Sequence, residues 1–260
     1  MSLRSALRTQ RPNGVRALDA VIGTLSGLRS RVAGPTSVQR DDGSPVVYGE
    51  MWRPQDEEHA RQLIFNDPDP DTFERSGQAD AERLAPLISS SDVVLDLGCG
   101  IGRVARYVAP LCATIWAVDA SETMLSHARS RLGALSNVRY ARCEGTRIPE
   151  IASASVDVAY SLLVLQHLER EDAFALLRDV HRVLRTDGRA YLTFPNLLSD
   201  PYLDCFLTYV EGGEVTNPVR ARLYTPQEVE RILPAAGFAV ESIEPGVEIV
   251  ACCRALPAVS

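Results

Sequence analysis

From Asp92 onward, short apolar runs alternate with longer amphipathic ones, and this beat constrains the fold more than any other feature of the chain. The apolar runs read as strands at Val93–Leu97, Thr114–Val118, Val138–Cys143, Val156–Ser161 and Ala190–Phe194. Helical patterns lie between them, at Gly102–Ala109, from a Ser121 cap to Leu132, and at Glu171–Leu184. Strands that alternate with helices build a mostly parallel sheet covered on both faces. The chain then closes with a helix over Thr225–Ala236, stopped by Gly237, and two strands near Ala239–Ile243 and Glu248–Cys252. Their short link at Pro245-Gly246 favours a hairpin, hence an antiparallel edge.

The flanks are less regular. Val15, Leu18, Ile22, Leu25, Leu28 and Val32 fall at helical spacing, in a stretch whose first 34 residues carry six Arg and one acid, Asp19. This predicts an amphipathic helix that docks on the body or covers the site, although an Arg-rich, acid-poor start also resembles a transit peptide. Pro35 to Pro45 reads as loop, "VVYGEMW" as a lead-in, and Asp56 to Ile64 as a helix. "NDPDPD", Asn66 to Asp71, reads as a breaker before a helix over Gln78–Ile88. The expected organisation is an N-terminal helical extension or lid over residues 1–90 and one domain over 91–260. Residues 196–224 form an irregular acceptor-side insertion with Tyr202, Phe206, Tyr209 and Tyr224.

Several function classes are disfavoured. A net charge of −7 argues against a polyanion partner, so no nucleic acid is expected. No apolar run approaches the ~20 residues of a membrane-spanning helix. The six cysteines make no C-x-x-C pair, and His59, His127, His167 and His181 are scattered, so no metal site is expected. Free thiols suit a reducing cytoplasm, which is the expected location. His181 and His127, inside helical patterns, read as structural.

In an open α/β sheet, ligands bind beyond the carboxyl ends of the strands. Four groups stand there. In "VVLDLGCGIGR", Gly98, Gly100 and Gly102 permit a sharp turn and close backbone approach, and Asp96 can reach a cationic amine. The dinucleotide fingerprint needs a third glycine where this chain has Arg103. Asp119 ends "TIWAVD", where a carboxylate can accept from both hydroxyls of a ribose. Glu144 follows the third strand, where an acid can accept from an adenine amino group, and Ser161 ends the fourth, facing the reaction centre.

"VVLDLGCGIGR", "WAVDASETMLSHAR", "ARCEGTRIP", "SVDVAYSLLVLQHL" and "LRTDGRAYLTF" occur in the order and spacing of class I S-adenosylmethionine-dependent methyltransferases, and the chain resembles that family from Asp92 to Phe194. The closing helix, strand and hairpin also match. The resemblance implies a Rossmann-like seven-stranded sheet, its last strand antiparallel, with helices on both faces. It implies that Asp96 and the three glycines hold the methionine part of the donor, Asp119 the ribose and Glu144 the adenine. The candidate donor-binding set is Asp96, Gly98, Cys99, Gly100, Gly102, Asp119, Ala120, Met124, Glu144, Gly145 and Ser161, with Arg75 added because "FERSGQAD" is similar to the family's upstream segment. The chemistry agrees. A dinucleotide brings a pyrophosphate, whereas S-adenosylmethionine brings a sulfonium, an amine and a carboxylate, which suit a pocket rich in acids.

Methyl transfer depends on positioning the nucleophile. In "LLVLQHL", His167 is the candidate general base, since its ring titrates near neutral pH, and Gln166 is a candidate polar contact. The expected activity is methyl transfer from S-adenosylmethionine to a small-molecule acceptor, to a hydroxyl oxygen of a sugar or specialised metabolite, leaving S-adenosylhomocysteine. Nitrogen or carbon acceptors, or donor binding without turnover, are the alternatives. The fourth strand continues into "SLLV" and not an Asn/Asp-Pro-Pro-Tyr/Phe motif, which disfavours a nucleic-acid methyltransferase. A homodimer is compatible with the sequence.

Overall fold

The computed structural model describes residues 48–65, 69–212 and 221–257, which all fall in one compact unit. The expected helix at residues 15–32, the loop from Pro35 to Pro45, and Arg220 lie outside the described residues. Seven strands form one sheet: β1 (Val93–Leu97), β2 (Thr114–Asp119), β3 (Val138–Arg142), β4 (Val156–Ser161), β5 (Leu184–Pro195), β6 (Phe238–Pro245) and β7 (Glu248–Ala255). Their order is β3-β2-β1-β4-β5-β7-β6. Pairs from β3 across to β5 are parallel, and β7 runs antiparallel to both its neighbours. Only Gly246 and Val247 separate β6 from β7. That link is too short for a crossover, so a hairpin is the only connection the chain can make.

Seven α-helices accompany the strands among the described residues: α1 (Glu57–Phe65), α2 (Pro70–Leu84), α3 (Ala105–Val108), α4 (Glu122–Leu132), α5 (Arg170–Val183), α6 (Asp200–Glu211) and α7 (Pro226–Ala235). Alternate residues of β1 enter opposite cores. Val94 packs with Ile115, Ala117 and Val158 against α2, α3 and α4. Leu95 and Leu97 pack with Val118, Ala159 and Leu192 against α5 and α7. Central parallel strands are covered on both faces, which is why they are apolar at nearly every position. Each fully buried Leu or Ile contributes about 1.5–3 kcal/mol over leaving it exposed. A smaller cluster of Ala60, Phe73, Ile101 and Met124, with Trp52 and Ile64 against it, joins α1 and α2 to the glycine turn and α4.

Local boundaries differ from the sequence expectation in several places, as at β5, which begins at Leu184 and not at Ala190. The helix that follows the "NDPDPD" breaker starts at Pro70 and not at Gln78: Asp69 caps α2 by accepting from Thr72 N, and Pro70 occupies the first turn. Proline has no N–H to lose there, and its φ already suits the helix. The first βα helix does not begin at Gly102, whose φ of +84° is left-handed, but at Ala105. The insertion is not irregular throughout, because α6 occupies its first half. Leu203, Phe206, Leu207 and Val210 recur on α6 at helical spacing but stay exposed, so no core marks them as a helix face.

Helix α2 meets the glycine turn at Gly77, where an added Cβ would lie 2.3 Å from the Arg103 carbonyl oxygen. Gly77→Ala should push α2 off that turn and cost about 1–3 kcal/mol. Urea denaturation measures this, and an unchanged midpoint would show that the two backbones are not in contact.

Candidate active site

The strand order reverses between β1 and β4, and a cavity opens at their carboxyl ends. Asp96, Gly98, Cys99 and Gly100 line it from β1, Asp119, Ala120 and Met124 from β2 and α4, and Cys143 and Gly145 from the turn after β3. Leu163, Val164 and His167 close it beyond β4, and Tyr48, Trp52 and Ile64 from the N-terminal side. With its open mouth included it encloses about 1020 Å³, enough for a nucleoside-sized ligand.

The floor is bare backbone. Gly98 N and Cys99 N both donate to Val118 O, at 2.7 and 2.9 Å, which ties the turn to β2. Gly98 has a φ of +78°, and an added Cβ would lie 2.1 Å from Val164 Cγ2. Only glycine lets the segment after β4 close this far. Gly102 has a different role. It does not line the cavity, and an added Cβ would strike Leu132 at 2.6 Å.

Two carboxylates define the electrostatics. Asp96 is buried, and its Oδ2 has no hydrogen-bond partner among the described residues. Burial pushes its pKa up to about 7, against the opposing pull of the Tyr160 hydroxyl and the Arg103 charge. The Tyr160 hydroxyl lies near enough to exert that pull without forming a hydrogen bond of ordinary geometry. Asp119 accepts from Gly100 N at 2.9 Å through Oδ2 and from Ser121 N at 2.8 Å through Oδ1. Burial raises its pKa while these amides lower it. Each oxygen keeps a second lone pair for a ligand hydroxyl.

Other expected donor contacts fall elsewhere. Arg75 is exposed, donates to Thr72 Oγ1 and does not line the cavity. The arginine at the cavity is the buried Arg103, paired with Asp80 at 2.7 Å, hydrogen-bonded to Ser76 Oγ and set over the Phe65 ring. Glu144 is exposed in a tight turn with Arg147, while its neighbours Cys143 and Gly145 line the cavity. Ser161 is buried and donates to Leu97 O at 3.3 Å, stitching β1 to β4 behind the cavity.

His167 ends a short 3₁₀ turn, Leu165–His167, and its ring meets Trp52 edge-on at 4.7 Å between centroids. Gln166 lies outside the cavity lining, and its amide nitrogen is 3.1 Å from His167 Nε2. Sequence reasoning missed Tyr48 and Trp52, although the aromatics of "VVYGEMW" were a usable signal. Tyr48 donates to the Asp172 carboxylate and accepts from Glu169 N, so it clamps the cavity wall to the start of α5. Glu169 in turn pairs with the buried Arg222. Among the described residues no cluster of His, Cys, Asp and Glu is placed to hold a metal ion. No helix among them is long and apolar enough to cross a membrane.

Residues 94–188 match a methyltransferase domain family. A probable S-adenosylmethionine-dependent methyltransferase of Mycobacterium tuberculosis is 33% identical over 165 residues, which are 63% of this chain and 54% of that protein. Residues 94–188 therefore form a methyltransferase domain similar to those of S-adenosylmethionine-dependent methyltransferases. The chain spans about half the length of that mycobacterial relative. Among solved structures, the YcgJ protein of Bacillus subtilis is 25% identical with a TM-score of 0.52, covering 67% of this chain and 71% of that one. The 1,6-didemethyltoxoflavin-N1-methyltransferase of Burkholderia thailandensis, solved with S-adenosylhomocysteine, shares the fold at a TM-score of 0.54 and 21% identity, covering 72% of this chain and 80% of that one. S-adenosylmethionine is the cofactor of this methyltransferase domain, and the cavity suits it. The orphaned carboxylate oxygen of Asp96 wants a cationic donor, and the second carboxylate, Asp119, disfavours a phosphate.

The raised pKa of Asp96 has a measurable consequence. In the fold it keeps its proton up to about pH 7, whereas in the unfolded chain it ionises near ~3.9. Its contribution to stability is therefore full below the lower value and lost as pH rises toward the higher. Relative to Asp96→Asn, the wild type should lose a few kcal/mol of unfolding free energy between about pH 4 and about pH 7, and no more above that. Urea denaturation over a pH series tests this, and a constant gap would refute it.

Proposed function

We propose that this protein transfers a methyl group from S-adenosylmethionine to a hydroxyl oxygen of a small molecule, a sugar or specialised metabolite, with His167 as general base. The observation that carries the reading is that His167 lines the same cavity as Asp96 and Asp119. S-adenosylmethionine supplies an electrophilic methyl on a positive sulfonium. Asp96 accepts from the donor's amine, and Asp119 accepts from its ribose hydroxyls while its own position is held by two backbone amides. Cys143 and Gly145 border the adenine end, with Glu144 at the rim. Trp52, Leu163 and Val164 exclude water around the transferred group. His167 takes the proton of the acceptor hydroxyl, which a neutral alcohol must lose to become a strong nucleophile. The acceptor side lies toward α6 and Arg222, because Arg222 N donates to Gln166 O at 2.8 Å and Tyr202 reaches Gln166 from α6.

Two variants separate donor binding from chemistry. Asp119→Ala should weaken S-adenosylhomocysteine binding about 10- to 100-fold, the loss expected for hydrogen bonds to a charged group. Calorimetry measures it, and unchanged affinity would sink the donor assignment. His167→Ala should leave that affinity intact and lower turnover roughly 100-fold, followed as a mass gain of one methyl group in fractions of small-molecule extract. Undiminished turnover would remove His167 from the mechanism. Tight donor binding with no methylated product in any fraction would favour a binding protein.

A further inference from the structure

Arg103 borders the donor cavity, and only part of its guanidinium is spent on the protein. The side chain is buried. Its Nη1 is paired with Asp80 Oδ2 at 2.7 Å and donates to Ser76 Oγ at 3.1 Å. The Phe65 ring lies over the guanidinium, 5.3 Å from its Cζ. A guanidinium has five N–H donors. Nη1 carries two of them, and both are used. Nε and Nη2 carry the rest, and neither nitrogen has a hydrogen-bond or ion-pair partner among the described residues.

The unspent edge has a defined chemistry. Nε–H and one N–H of Nη2 run parallel and match the two oxygens of a carboxylate. Helix α2 fixes where that edge points. Ser76 and Asp80 stand one helical turn apart on α2 and so share a face. Gly77 beside them lets the helix backbone reach the Arg103 carbonyl. Asp80 is itself steadied by Arg83, which donates to its Oδ1 at 3.1 Å. The Arg103 charge lies near enough to Asp96 to lower its pKa, so both stand at one end of the cavity. Asp96 there has an orphaned oxygen. An unmet acid beside an unmet guanidinium edge is the complement of an α-amino acid, whose amine and carboxylate share one carbon atom. In S-adenosylmethionine only the methionine part has that pair of groups.

We propose that Arg103 binds the carboxylate of the donor's methionine part through its Nε–Nη2 edge, with Ser76 and Asp80 as positioning residues that act through Nη1. Arg103 is the residue that departs from the dinucleotide fingerprint, and it recognises an amino acid where a third glycine would serve a pyrophosphate. The upstream "FERSGQAD" takes part through Ser76, Gly77 and Asp80. Its own arginine, Arg75, is exposed and bonded to Thr72. The inference rests on the donor reading of this cavity and is independent of the acceptor and of His167.

The test is calorimetry on the full-length chain with two ligands: S-adenosylhomocysteine, and its decarboxylated analogue, which keeps the amine. The wild type should bind the first about 10- to 100-fold more tightly, the range for hydrogen bonds to a charged group. Arg103→Met should bring S-adenosylhomocysteine down to the affinity of the analogue and leave the analogue unchanged. Arg103→Lys keeps a charge for Asp80 but loses the planar fork, and should lower the preference several-fold. Asp80→Ala should also lower it, and Asp80→Asn, which still accepts from Nη1, should restore most of it. Arg75→Ala should change neither affinity. A residue that only braced α2 would weaken both ligands alike, so an equal loss in Arg103→Met overturns the proposal. A preference that collapses in Arg75→Ala also overturns it. Equal affinities in the wild type do so without any variant having to fold. If the wild type binds neither ligand, the donor reading falls and takes this inference with it. If it binds both with a preference that ignores Arg103, this inference alone falls.

Discussion

The carboxylate of Asp119 holds two chain segments at once, and the cavity depends on it. Through Oδ2 it fixes Gly100 in the turn after β1, and through Oδ1 it fixes Ser121, whose hydroxyl caps α4 by accepting from Met124 N. The Val118 carbonyl adds two further bonds, from Gly98 and Cys99. Three hydrogen bonds therefore join the ends of β1 and β2 in a region where no strand ladder continues, and the fourth, from Ser121, sets the start of α4. The two accepted by the carboxylate are charge-assisted and stronger than neutral ones, and burial removes the water that would compete with them. The same residue that organises the protein scaffold is the one placed to meet the donor's ribose.

Asp96 shows the opposite economy. It is buried, and one of its oxygens has no hydrogen-bond partner among the described residues. A group of this kind is unfavourable in the empty fold and favourable once a cation reaches it. The surroundings tolerate it because Arg103 lies near and is itself neutralised by Asp80. Stability given up at Asp96 becomes affinity for a positively charged ligand group, which is how a binding site differs from a core. Arg103 is held by α2 through Nη1 alone, a second polar group that the fold leaves partly unspent beside the cavity.

Much of the sheet was readable in the chain because central parallel strands are apolar on both faces and separated by amphipathic helices. Val93–Leu97 and Val156–Ser161 are found at the boundaries the pattern predicts. Boundaries failed where a local signal had two meanings. Proline reads as a breaker, yet Pro70 in "NDPDPD" starts a helix, and the glycines after Leu97 belong to a turn that runs on into the expected helix. The site was legible to a similar depth. Asp96, Gly98, Gly100, Asp119 and His167 line the cavity together. Gly102 and Ser161 stand beside the motif but face the core, and Arg75 is on an exposed face of α2. Neighbours in sequence diverge in direction as soon as the backbone turns, and a motif records the spacing but not the direction.

By itself the sequence determined the layers, the position of the cavity along the sheet and the acids that suit a methyl donor. These follow from periodicity and from the chemistry of residues next to a strand end, which are local properties. Only the tertiary structure decided that Arg103 replaces Arg75 at the cavity, that Tyr48 and Trp52 wall it, and that α6 reaches Gln166 beside His167. Those contacts join residues tens to more than a hundred positions apart, as in the bond from Tyr48 to Asp172 across 124 positions. Contacts of that range are set by how packed layers meet, and no local pattern encodes them.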